Sequence, residues 1–425
     1  MRGDVRCKRV VTQWLVLLCT LAFTAGRSPA PAAADDGATT APIAAPAPEL
    51  PEKQQGALWV FDRIVLRGPW GEQPGEIGKV MWDADASPED TIMVIRGPRD
   101  LTVTPDGRLC LTDTYNHRVQ CFGPDGMLQW VVGRKGLERG EFWGPVARAV
   151  IGPSGDVYAS QFPPERPEDA EARARWERAD REAWRRGVMR LTPAGRLVFS
   201  TYDSATDDAT FLTETGDNPP WVRKGFWVDR RGRIYQFMRS REECGMARFD
   251  SDGRLKRTWP MPTDLTAYEL LLAPGDVFMA VKHTREAVPA GDGRWRHPIL
   301  IRRWNSDGEA LPPIKVEVTG VCEEWYASIP RPDAKGRMVI GHTDVLLRPH
   351  GAGDPGNLIT TLLLVSPEGE VLGQQGYREL LAQAPGFAAQ APGDGFGSRV
   401  DSSGHLYFSL LFEDEYQIAR FRLRE

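Results

Sequence analysis

Eleven short segments ending in glycine punctuate the chain: Pro-Asp-Gly at Pro105 and Pro124, Pro-Ser-Gly at Pro153, Pro-Ala-Gly at Pro193, Arg-Arg-Gly at Arg230, Ser-Asp-Gly at Ser251 and Ser306, Ala-Pro-Gly at Ala273, Ala-Lys-Gly at Ala334, Pro-Glu-Gly at Pro367 and Ser-Ser-Gly at Ser402. Each lies between short apolar runs, as a tight β-turn does. A single hairpin cannot hide two apolar faces, so units of this kind must stack. The turns alternate between two roles: one joins an inner strand to the next, the other joins a third strand to an outermost one.

Eleven turns make five pairs and one left over. The missing partner is at the other end of the chain. The segment VGRKGLERGEFWGP, Val132 to Pro145, follows an outer strand, and RGPWGEQPGEIG, Arg67 to Gly78, repeats its glycine spacing: Gly68, Gly71 and Gly75 match Gly133, Gly136 and Gly140. The run LWVFDRIVL just before it is therefore expected to be an outer strand that completes the last sheet, one strand short after QIARFRL. Closing a ring removes the exposed edge that a linear array leaves. The expectation is an all-β fold, a six-bladed β-propeller closed by an N-terminal strand in its last blade.

The segment DLTVTPDGRLCLTDTYNHRVQCFGPDGMLQWVVGRKGLERGEFWGP resembles an NHL repeat: a Pro-Asp-Gly turn, an Asp-x-x-Asn-x-Arg knot, a second Asp-Gly turn and a Gly-rich exit ending in Gly-Glu-Phe. The match is close over this blade, looser at AVIGPSGDVYAS and GFWVDRRGRIYQF, and carried elsewhere by turn spacing. In such a blade Asp113 and Arg118 lie opposite one another across the second and third strands and cap them with a charge pair. The alternative is that Asp113, Tyr115 and His117, at a hairpin tip, touch a ligand. A two-residue tip at Tyr115 and Asn116 sets Cys110 opposite Cys121 as a hydrogen-bonded pair, whose side chains stand less close, so a disulfide is possible but not preferred. Two enzyme groups share the architecture the resemblance implies, gluconolactonase-like propellers with a central metal and peptidyl-hydroxyglycine amidating lyases with histidine-bound zinc. Neither ligand set maps onto numbered positions here.

In this topology the glycine turns face one side, and the second-to-third-strand and interblade connections face the other. The insertions at Gly78 to Gly97, Phe162 to Gly187, Tyr202 to Lys224, His283 to Pro298, Pro312 to Ser328, His342 to Leu358 and Gly373 to Gly395 all fall on the second side. Long loops gathered on one rim of a rigid scaffold are where binding surfaces are built. One insertion, residues 167–186, reads as a helix, with Pro167 at its first position, acidic residues early, Arg185 and Arg186 late and Gly187 as cap. Its Trp176 and Trp184 either anchor it to the propeller or make it a lid or partner-binding arm. Candidate binding-face residues are Asp113, Tyr115, His117, Trp143, Trp176, Trp184, His283, His297, Trp325 and Tyr326. Trp70, Trp82, Trp221 and Trp295 map to the same rim; aromatic rings with polar tips suit peptide or sugar surfaces and also ordinary packing.

His117, His283, His297, His342 and His350 map to that rim with Asp113, Asp344, Glu323 and Glu324. No cofactor is expected, but a divalent metal is chemically possible, with His342, Asp344 and Glu323 as candidate ligands. No two of these histidines show a compact ligand spacing. There is no Gly-x-Ser-x-Gly elbow and no phosphate-binding Gly-Lys-Ser/Thr loop, so no catalytic residue is assigned.

The 425 residues carry a net charge of -5, which offers no global field for nucleic acid. Arg2, Arg6, Lys8 and Arg9, an apolar run from Val10 to Phe23 and Ala32-Ala33-Ala34 have the order of an export signal, residues 1–34, followed by an Ala/Pro-rich linker, 35–55, and the propeller, 56–425. A membrane contact is expected only where that signal is kept as an anchor. The reading is an exported, periplasmic or extracellular, binding module that recognises a protein, peptide or glycan with its loop-rich face. The alternative is a metal-dependent lyase or hydrolase at the central opening of the same face.

Overall fold

A computed structural model describes residues 58–83, 93–98, 100–136, 138, 140–162, 169–171, 173–174, 187–201, 225–239, 244–265, 270–283, 287–328, 330–345, 358–386 and 399–424. The export segment, the linker, Trp176, Trp184, Trp221 and His350 lie outside these residues, as do the side chains of Trp82 and His283. Six antiparallel sheets form the blades of a propeller. Blade 1 runs Asp100–Val103, Leu109–Asp113, Arg118–Phe122, Leu128–Val132, and blade 2 Val146–Ile151, Val157–Gln161, Met189–Leu191, Leu197–Ser200. Blade 3 comprises Phe226–Val228, Ile234–Arg239, Cys244–Phe249 and Leu255–Met261. Blade 4 comprises Leu270–Ala273, Val277–His283, Arg294–Trp304 and Ala310–Gly320, with Val288–Gly291 folded back on its third strand. Blade 5 has an interrupted inner strand, Trp325–Ala327 and Arg331–Pro332, then Met338–Val345, Leu358–Val365 and Val371–Gly376. Blade 6 runs Arg399–Val400, Leu406–Leu411, Glu415–Leu423, and its outermost strand is Trp59–Pro69 from the other end of the chain.

All eleven turn glycines predicted from the sequence, Gly107 to Gly404, hold positive φ. A side chain three residues before many of them fixes the turn. Asp229 accepts from the backbone N–H of Arg231 and Arg233, and Asp250, Asn305, Asp333 and Asp401 repeat the pattern. This is the Asx-turn, a short polar side chain standing in for a backbone acceptor.

Ring closure is the expected one, Trp59 pairing with Leu423 through to Pro69 with Glu415, with bulges at Asp62 and Val65. Trp59 is fully buried against Leu362 and Leu364 of blade 5 and Leu380 and Leu381 of the short helix Tyr377–Leu381. Its backbone N–H donates to Gln375 Oε1 at 2.7 Å, so one residue joins blades 5 and 6.

The loop after this strand is the one predicted to copy residues 133–145. Gly71 N–H bonds the Ile77 carbonyl as Gly136 N–H bonds that of Phe142, and Gly75 and Gly140 both have positive φ. Asp113 is fully buried and holds this loop: one carboxylate oxygen accepts from Gly78 N–H at 3.0 Å. The other accepts from Arg118, Asn116 and Gln120. Arg118 then donates to the carbonyls of Glu72, Gln73 and Glu76. The knot therefore caps its hairpin as expected and, further, seats the loop that leads out of the closing strand.

The register also matches the prediction, Asp113 opposite Arg118 and Cys110 opposite Cys121, joined as a disulfide. The hydrogen-bonding parity does not. The tip is four residues, Thr114 to His117, with His117 at φ 53°, so the alternation inverts; the cysteine Cα atoms stand 4.1 Å apart, the spacing of a non-hydrogen-bonded pair. Two expected loops are corrected as well. His283 to Pro298 and Pro312 to Ser328 are largely strand, because blade 4 extends its third and fourth strands to 11 residues each. Gly78 to Gly97 contains the hairpin Val80–Asp83 with Met93–Arg96. Of the expected helix at 167–186 the described part is its first turn, where Arg173 N–H donates to the Asp169 carbonyl at 2.8 Å.

Trp59→Ala is expected to cost about 3–5 kcal/mol in denaturant unfolding, since it opens a cavity at the seam and frees the closing strand. Asp113→Ala is expected to lose a similar ~3–5 kcal/mol by stranding the buried Arg118 charge, whereas Asp125→Ala, in an exposed turn, should stay within about 0.5 kcal/mol of wild type. Reducing Cys110–Cys121 is expected to lower stability by about 2–3 kcal/mol for so short a closed loop, with mass spectrometry of non-reduced peptides reporting the linked pair.

Candidate functional site

The second strand of blade 5, Met338–Val345, turns alternate residues toward blade 4. Met338 and Ile340 enter an apolar column with Ile299, Ile301, Ile314, Val316 and Val318. The next two positions of that face are His342 and Asp344, and on the facing third strand of blade 4 the residue beyond Ile299 is His297. Three polar groups thus end an otherwise aliphatic column. His297 is fully buried, His342 and Asp344 are 2% and 4% exposed.

One donor atom from each of the three lies within 4.8 Å of those of the other two. His297 Nδ1 and His342 Nε2 are 2.7 Å apart, and His297 Nε2 is 2.7 Å from the Cys322 carbonyl. A carbonyl only accepts, so His297 carries its proton on Nε2 and presents a bare Nδ1, to which His342 Nε2–H donates. Asp344 Oδ1 is 3.8 Å from His297 Nδ1 and accepts from the backbone N–H of Val321 and Cys322 at 3.2 and 3.3 Å. The Trp325 indole stacks on His297, ring centroids 4.9 Å apart and planes within 11°, and its Nε1–H has no partner among the described residues. A Cβ on Gly320 would collide with both His297 and Asp344.

Burial governs the protonation of the group. It lowers His342 to about 3, with the neighbouring His297 adding to the effect, and lowers His297 against the opposing pull of the Cys322 carbonyl. Burial raises Asp344 to about 6, opposed by the Cys322 and Val321 N–H groups, and raises the Cys322 thiol to about 11, with Asp344 contributing.

The other predicted site residues are dispersed. Asp113 is committed to the interblade loop, and Tyr115 and Asn116 stand beside Gly78. His117 is buried beside the 133–145 loop, which lowers its pKa, and Trp143 is 4% exposed, so both face the interior. Tyr326 is half-buried and Glu323 exposed at the end of the connection between blades 4 and 5. Of the predicted metal candidates, His342 and Asp344 come together; their third neighbour is His297, from the binding-face set, rather than Glu323. What would have found it is alternation. Read with period 2, His297 continues the inward phase of Ile299 and Ile301, and His342 that of Met338 and Ile340.

The cluster does not lie on the propeller axis, because its residues are on second and third strands. The described inner strands instead carry Arg148, Arg331 and Arg399 around Asp100. Arg399 is hydrogen-bonded to Asp100, and Arg148 Nε is 3.8 Å from it. Burial, followed by the nearby Arg399, pulls the Arg331 guanidinium down to about 9. Among the described residues the inner strands thus bring three guanidinium groups near one carboxylate.

Residues 96–122 match the NHL repeat family. They span the end of the inserted hairpin and the first three strands of blade 1, including the Asp113 knot. No curated protein matches the chain. Similar solved structures include a member of the DUF4221 family from Bacteroides vulgatus, 11% identical over 86% of this chain and 98% of that one, TM-score 0.44. Virginiamycin B lyase from Staphylococcus aureus is 13% identical over 77% and 95%, TM-score 0.39. A calcium-binding protein, regucalcin, from Agrobacterium tumefaciens is 9% identical over 77% and 91%, TM-score 0.38. No helix among the described residues is long and apolar enough to cross a membrane.

Proposed function

We propose that this chain is an exported propeller that binds a protein, peptide or glycan on the face built from its second-to-third-strand and interblade connections. The observation that carries the reading is the asymmetry of connection length. Between described strands, residues 162–188, 201–225, 346–357 and 377–398 all join strand ends on this one side. On the other side every connection is a short glycine turn. Blade 4 adds the folded-back Val288–Gly291 to the long side. Tight turns offer little beyond backbone, whereas long connections on a closed scaffold can vary without disturbing the blades. Export is supported by the order of basic, apolar and small residues at 1–34 and by a disulfide in blade 1, which persists in an oxidising compartment.

Arg296, Glu323 and Glu324 are exposed on the long side, while Asp125, Asp252 and Glu368 are exposed in the turns. Ligands are to be selected with the disulfide-bonded chain on peptide and glycan arrays and confirmed in solution. The triple substitution of Arg296, Glu323 and Glu324 to Ala is expected to weaken the selected ligand about tenfold or more, as loss of ~1.4 kcal/mol does, and the turn triple to leave it unchanged. The reverse result, loss only in the turn variant, would move the binding surface to the other face.

A further inference from the structure

We propose that His297, His342 and Asp344 form a binding site for one zinc-type divalent cation in the gap between blades 4 and 5. Two imidazoles and a carboxylate are the donor set of such an ion, and they arrive from two different sheets. Their positions continue a column that is otherwise Ile, Val and Met. Three buried polar groups there cost stability unless something compensates them, and a shared cation is one partner that engages all three at once.

The surroundings are those a metal site needs. His297 donates its outer N–H to the Cys322 carbonyl, which fixes the ring and leaves Nδ1 facing the other two residues. Asp344 is oriented by two backbone N–H groups. Gly320 leaves no Cβ in the space, and the Trp325 ring shields His297 with an indole N–H that has no partner among the described residues. Zinc ligands at about 2.0–2.2 Å in a tetrahedron stand about 3.4 Å from one another. The present spacings of 2.7 Å between the imidazole nitrogens and 3.8 Å from His297 to Asp344 bracket that value. The third side is longer, His342 Nδ1 standing 4.0 Å from Asp344 Oδ2, so closing round one ion requires the side chains to turn inward, with the His342 proton passing from Nε2 to Nδ1. The competing reading is a buried polar cluster that only ties two blades together.

The experiment uses the full propeller, chelator-stripped and titrated with zinc sulfate against a chromophoric competitor, and separately with cobalt chloride. Expected are one equivalent of zinc, a rise in melting temperature on its addition, and the intense visible bands of tetrahedral cobalt. His297→Asn and Asp344→Asn should each weaken zinc at least about 100-fold, Gly320→Ala should also weaken it, and Glu323→Gln should not change it. Equal uptake by wild type and the His297→Asn/His342→Asn double variant would overturn the site. If the variants lose their near-ultraviolet dichroism, wild type alone decides: no one-equivalent tetrahedral cobalt spectrum means no site.

Discussion

The ladder between Trp59–Pro69 and Glu415–Leu423 is the interaction on which the rest of the molecule depends. Six sheets packed face to face in a row would leave an apolar face uncovered at each end and an unpaired edge on the last sheet. Drawing the outermost strand of blade 6 from the opposite end of the chain fastens the ring, which covers both faces, and completes the last sheet as a four-stranded blade like its neighbours. Trp59 secures the strand through blade 5 and the short helix, and Asp113 secures the loop leading out of it through Arg118, Asn116 and Gln120. The most recognisable motif in the sequence thus serves the seam of the ring.

With the ring closed, each gap between blades becomes a column of inward-facing residues, and these columns are where sequence can depart from the aliphatic rule without loss of fold. Blades 4 and 5 do so at one end only. Ile299, Ile301 and Ile340 fill the column, and His297, His342 and Asp344 finish it beneath Trp325. The long strands of blade 4 carry the gap past the point where other blades turn, giving room for a polar group that is still buried.

Blade number, strand closure and all eleven turns were legible because each rests on local chemistry: glycine at positive φ, apolar alternation and one copied loop. The Asp113 to Arg118 register was legible for the same reason. Its parity was not, since a tip of four residues and one of two satisfy the same pairing sums and differ only in whether His117 enters the left-handed region. The cluster was half legible. His342 and Asp344 are two apart in sequence, but His297 reaches them through the packing of one sheet on another, which linear order does not encode. Polarity alone places the rim histidines in loops, where polar residues usually sit; His283, His297 and His342 belong to strands, the last two in phase with the core.

Closure by the first strand also sets an order of events. Trp59 bonds Gln375, 316 residues away, and Glu415–Leu423 is later still, so during synthesis the first strand waits for almost the whole domain before it has a partner. A waiting strand with a free edge is a hazard for pairing with a neighbouring chain. Asp62, Arg63 and Arg67 interrupt its apolar run, and Arg63 and Arg67 remain exposed in the finished ring. Asp62 later pairs with Arg420 of its proper partner strand. The same charges that look incidental in the closed propeller are of the kind that disfavours wrong pairing of an unpartnered strand.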